Sequence, residues 1–245
     1  MARTSFNWHR LTRTQLFESL WDLKKSTVSK PITGSKLHRI LRRAIEKELP
    51  VQVCACYIRE LEDIHVTVEA NYYGNLDQML QAGYVQLKLC YSSRDQEFVL
   101  TPARYRKFCL EYADTVLHEL IHIRQFRKRN FKLISEYRSV STILWLQQEQ
   151  NYLGHRDEIE AYAFNIACEL LDAFKNDSAK VKQYITNPGS DLRTRRKDPT
   201  WQRYLQAFDY DYQHPIIKKL RKATINYLPR ALAGKPFKTK KFIDK

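Results

Sequence analysis

Glycine and proline are scarce in this chain, at 6 and 8 of 245 residues. That excludes collagen-like and low-complexity architectures, which need both in quantity. Acidic side chains are outnumbered, 27 Asp+Glu against 42 Lys+Arg, for a net charge of +15. No apolar run reaches the ~18 residues of a membrane helix, so no membrane span is predicted. The opening MARTSFNWHRLTRTQLFESL holds no apolar core of the signal-peptide kind. No CxxC pair occurs either. Cys54, Cys56, Cys90, Cys109 and Cys168 stand apart, which fits free thiols in a reducing compartment. These absences point to a cytoplasmic location, or to the inside of something assembled in a cytoplasm.

What is present is enough apolar material for a core, 43% of residues. At roughly 100–200 residues per domain, the length suits one large domain or one domain with extensions. Charge divides the chain unevenly: net +7 over residues 1–50, −3 over 51–176 and +11 over 177–245. The expected organisation follows that division. A basic helical N-terminal extension (1–50) precedes a core (51–176), and a basic helical C-terminal extension and tail (177–245) follows. Basic flanks favour a polyanion such as nucleic acid. A solubility surface is the plainer alternative, since no base-reading motif accompanies the charge.

Periodicity gives the elements. Residues 12–25 and 35–48 read as basic amphipathic helices, with Leu37, Ile40, Leu41, Ala44 and Ile45 on one side of the second. Val51–Ile58, His65–Tyr72 and Tyr84–Tyr91 alternate with period two, so three half-buried strands are expected. Thr101-Pro102 is a helix start, an N-cap oxygen followed by proline at the first helical position. That helix runs to about Arg129. Further helices are expected over 135–150, 156–174, 201–208 and 215–228, with Asn151–Gly154 as a turn.

The sharpest signal is His118-Glu119-Leu-Ile-His122 inside the helix that starts at Pro102. Residues i and i+4 share a helix face, so two imidazoles can grip one ion. Glu119 is rotated off that axis, where it can take a proton from water on the metal. A catalytic zinc needs a third protein ligand. The acidic candidates are Asp157, Glu158 and Glu160. From Glu160 the helical steps reach Ala163, Phe164, Ala167 and Leu171, an apolar face; from Glu158 they reach Ala161, Tyr162, Asn165 and Glu169, a more polar one. A carboxylate on an apolar face is costly unless it binds a charge, which favours Glu160 as the ligand. A surface carboxylate at the face boundary is the alternative. Asp114, one turn before His118, is placed either to orient that histidine or to face solvent.

His118–His122, followed 38 residues later by Glu160-Ala161, resembles the gluzincin zinc metallopeptidases, and most of all their minimal members. The phrases His118–Gln125 and Glu158–Ala163 are also similar to uncharacterised phage proteins. The likeness covers about residues 51–175. It implies an α+β, zincin-like fold: a small, mostly antiparallel sheet, the HExxH helix and a following Glu-bearing helix. It implies zinc on His118, His122 and Glu160, with Glu119 as general base, acting on a protein or peptide substrate. It also implies an edge strand that pairs with extended peptide, for which Tyr84–Tyr91 is the natural candidate. A phage origin would add association with a viral particle. Such families often supply a Tyr or His to the tetrahedral oxyanion; Tyr152 and His155 are the nearest, and His155 also suits a helix start. The chain is similar to SprT-like DNA-dependent proteases in charge layout, but no histidine lies between His122 and His155. A di-iron bundle would need a second E-x-x-H on another helix, and no expected helix besides that of His118–His122 carries one. The competing reading is a nucleic-acid-binding or virion-associated structural protein on a zincin-like scaffold.

Overall fold

In a computed structural model of the chain, the described residues are 12–48, 51–58, 67–72, 85–92, 94–129, 145–187 and 198–233. They are mostly helical with a small sheet, an α+β arrangement. Two compact units divide the chain after Phe131.

In the first unit, Thr12 starts α1 (Arg13–Trp21) with a capping box. Its hydroxyl accepts from the Gln15 amide at 3.2 Å, and the Gln15 side chain accepts from the Thr12 amide at 2.9 Å. α2 (Lys24–Thr27) and the two-residue β1 (Pro31–Ile32) lead into α3 (Gly34–Glu48). Leu37, Leu41 and Ile45 form the buried stripe of α3, while Arg39, Arg42 and Arg43 are exposed, as the period of 3.6 requires. Gly34 is required by proximity: a Cβ there would collide with the Tyr91 ring.

The strands are β2 (Val51–Ile58), β3 (Thr67–Tyr72), β4 (Val85–Ser92) and the short β5 (Phe98–Val99), which pairs with β1. The main sheet has the order β2-β4-β3. β2 runs parallel to β4 over eight residue pairs, and β3 antiparallel to it over six. The expectation of a mostly antiparallel sheet is corrected here, since the longer pairing is parallel. A second correction concerns the strand ending at Tyr91. It is the central strand, bonded on both sides, and has no open edge for a peptide. Its burial explains this: Leu87, Leu89 and Tyr91 are buried on one side and Cys90 on the other, so it needs cover on both faces.

Thr101 starts α4 (Pro102–Lys128), its hydroxyl accepting from the Arg104 amide at 3.2 Å. α4 packs against α1 and β3. Tyr105, fully buried, donates to the Leu20 carbonyl at 2.6 Å, and Arg13 grips Asp114 through two bonds of 2.5 and 2.7 Å. Burial pushes the Cys109 thiol up to about 12, so this cysteine is a packing residue.

The second unit is helical: α5 (Trp145–Gly154), α6 (Arg156–Ala173), α7 (Ser178–Thr186), α8 (Pro199–Ala207) and α9 (Pro215–Ala233). The expected turn at Asn151–Gly154 is helix instead. Leu153 is fully buried, and extending the helix carries it inward; the chain bends at His155. Residues 135–144 of the expected 135–150 helix lie outside the described residues, as do 188–197 of the expected basic connection. α7 was not expected. Asp177 caps it by accepting from the amides of Ala179 and Lys180 at 3.1 Å, and Val181, Tyr184 and Ile185 are its buried side. α6 packs chiefly along α9, with the Tyr227 ring edge-on to Phe164 at 5.7 Å and Arg230 over the same ring at 5.4 Å. Glu169 accepts from the Thr200 hydroxyl at 2.5 Å and the Thr200 amide at 3.2 Å, placing negative charge on the α8 N-terminus.

Candidate metal centre

α4 carries the histidines. His118 and His122 are four residues apart, so their side chains stand one above the other. Their exposures are 7% and 4%. The rings meet edge to face, centroids 4.7 Å apart, with Nε2 to Nε2 at 3.0 Å. Two imidazole nitrogens at that distance need a proton or a cation between their lone pairs. His122 Nδ1 is 2.9 Å from Gln125 Oε1. A carbonyl oxygen only accepts, so Nδ1 carries the proton and Nε2 keeps its lone pair for a ligand. Glu119 is buried on the same helix. Asp114, a candidate for orienting His118, is paired with Arg13.

α6 carries the acidic candidates. His155 caps it, with Nδ1 accepting from the Asp157 amide at 3.3 Å. Asp157 and Glu158 are buried in its first turn, at 7% and 6% exposure. Glu158 shares its surroundings with three phenols. Tyr152 hydrogen-bonds to it, and the Tyr152 and Tyr162 hydroxyls are 3.1 Å apart. The Tyr204 ring is edge-on to Tyr162 at 5.7 Å. Burial raises all three phenols above their ordinary range, with the negative charge of Glu158 adding to the rise, so they remain protonated at neutral pH.

Glu160 lies elsewhere. Two helical residues turn about 200°, so Glu158 and Glu160 point to opposite sides of α6. Glu160 reaches back to Arg156, Nε to Oε1 at 3.9 Å, and lines a cavity of about 380 Å³ with Gly154, Arg156, Ile159, Lys219 and Ala223.

The buried group that could hold a metal ion is therefore His118, His122 and Glu158, whose ligand atoms lie within 4.8 Å of one another. Its carboxylate is that of Glu158, not the expected Glu160. Tetrahedral zinc at ~2.0–2.1 Å from each donor sets its ligand atoms about 3.3 Å apart, close to the 3.0 Å of the imidazole pair. Two nitrogens and a carboxylate suit zinc chemically.

Gln125, bonded to His122, and Arg203, bonded to Tyr162, were not singled out from the sequence. Gln125 had a signal, three residues beyond His122 on the same helix. Arg203 had none, because its role comes from the fold of the second unit. Comparison of the chain with protein-family models, curated proteins and solved structures finds no match in any of the three.

Proposed function

We propose that this protein is a zinc-dependent peptide hydrolase of the gluzincin kind, with His118, His122 and Glu158 as the metal ligands and Glu119 as the general base. The observation that supports this reading is the buried two-imidazole, one-carboxylate cluster drawn from α4 and α6. Zinc held there supplies Lewis acidity, polarising a carbonyl and acidifying water. The remaining work falls to side chains of the chain itself. Glu119 is rotated ~100° from His118 around α4, off the ligand axis. There it accepts the proton of an attacking water and passes it to the leaving amine. Tyr152 is engaged with Tyr162 and Glu158, so an oxyanion role falls to neither Tyr152 nor the capping residue His155 in this reading. β3, at the edge of the sheet among the described residues and packed against α4, takes the place of the central strand as the partner for an extended peptide.

Metal analysis of the purified chain should find one zinc, lost in His118→Ala. Glu119→Gln should keep the metal and lose peptide hydrolysis by about 10²–10⁴-fold. Absence of zinc, or full activity in Glu119→Gln, would sink the reading.

A polyanion-binding role is the second reading. α9 favours it: Lys218, Lys219 and Lys222 are exposed, and residues 215–233 contain no acidic residue. Binding of DNA or RNA that weakens steeply with salt and is untouched by His118→Ala would mark that role.

A further inference from the structure

A carboxylate that ligates a metal works best when something fixes its orientation, and the second unit contains a chain of bonds that ends on Glu158. Arg203 Nε donates to Glu149 Oε1 at 2.7 Å, and Arg203 Nη1 donates to the Tyr162 hydroxyl oxygen at 3.0 Å. Its guanidinium carbon lies 5.5 Å from the Tyr162 ring centroid and 5.7 Å from that of Tyr152. The two hydroxyl oxygens are 3.1 Å apart, and Tyr152 in turn bonds to Glu158.

The direction of this chain follows from donor inventory. Arginine has only donors, and an ionised carboxylate only acceptors. Tyr162 accepts from Arg203, which leaves its own hydrogen for Tyr152. Tyr152 accepts that hydrogen and must turn its own toward Glu158. Every bond points one way, from a cation to the carboxylate.

We infer that Arg203 and Tyr162 are positioning residues that commit the Tyr152 hydroxyl to Glu158, fixing that carboxylate as a metal ligand. The inference rests on the metal-centre reading above. It gives Tyr152 a duty distinct from stabilising an oxyanion, and it gives Arg203 a duty beyond its ion pair with Glu149. Tyr204 supplies an internal control. Its hydroxyl is buried and makes no hydrogen bond among the described residues, although its ring touches that of Tyr162.

The test measures Zn²⁺ affinity of the full chain by competition with a chromophoric chelator, together with the visible spectrum of the Co²⁺-loaded protein. Tyr152→Phe should weaken zinc binding about 10–100-fold and shift the cobalt bands, as loss of a ligand-orienting bond does. Tyr162→Phe and Arg203→Met should act in the same direction by smaller factors. Because they act in series, the double variant should be no worse than the weaker-binding single. Arg203→Lys, which cannot reproduce the planar fork, should not restore the parent affinity. Tyr204→Phe should stay within about twofold of the parent, since its hydroxyl orients nothing. If Tyr152→Phe and Tyr162→Phe both bind zinc like the parent while Glu158→Gln does not, the positioning role is overturned and the metal centre stands. If Glu158→Gln itself binds zinc like the parent, the metal centre falls and the positioning role with it.

Discussion

Helix α6 (Arg156–Ala173) has two sides, and they carry the same kind of residue to different ends. On one, Glu158 is buried among the phenols of Tyr152, Tyr162 and Tyr204, and Glu169 on the same side holds the α8 N-terminus. On the other, Glu160 sits at the mouth of a cavity with Arg156 and Lys219, above Phe164, which packs on α9. The polar side is the one that buries Glu158 and half-buries Glu169. A buried charge survives where hydrogen-bond donors surround it, so polar neighbours mark a buried ligand better than apolar ones do. The apolar side is apolar because a neighbouring helix covers it.

The contrast can be broken most severely by exchanging the two carboxylates for amides. Glu158→Gln should weaken zinc binding by at least ~100-fold, whereas Glu160→Gln should leave it unchanged, measured by chelator competition. Equal losses would erase the distinction between the sides. Next in size is the helix contact. Ala167 is fully buried, so Ala167→Leu should overpack α6 and cost about 1–3 kcal/mol in urea denaturation, with little effect on metal affinity in the surviving folded protein. On the polar side, Thr200→Val removes a donor to Glu169 and should cost about 1 kcal/mol by the same measurement. The smallest effect belongs to the rim. Arg156→Ala breaks an exposed pair with Glu160 and should change stability by no more than about 0.5 kcal/mol.

Local geometry was legible in the sequence, and tertiary geometry was not. The His118–His122 spacing is a property of one helix turn, and Thr101-Pro102 announced the start of that helix. The three main strands were found within two residues at each end, because alternation is a local signal. Alternation reports which side chains are buried; it does not report which strands are neighbours. Hence the central position of β4 and its parallel pairing with β2 were not visible. Glu158, rather than the expected Glu160, stands in the candidate group for a related reason. The face polarity of α6 was read as cause, when it is the product of what covers each side: α9 over Phe164, and the Tyr152–Tyr162–Arg203 bonds beside Glu158. α7 was not expected, although Asp177 followed by Val181, Tyr184 and Ile185 is a readable cap and stripe.

The amino-terminal helices have a bearing on how this molecule tolerates cutting. Tyr105 donates its hydroxyl hydrogen to a carbonyl of Leu20, Asp114 takes both bonds from Arg13, and the Tyr91 ring closes over Gly34. A protease nicking near residue 50 would therefore not trim away a dispensable arm. Losing the fragment would strand a phenol and a carboxylate on the very helix that bears His118 and His122, and would bare one flank of the middle strand.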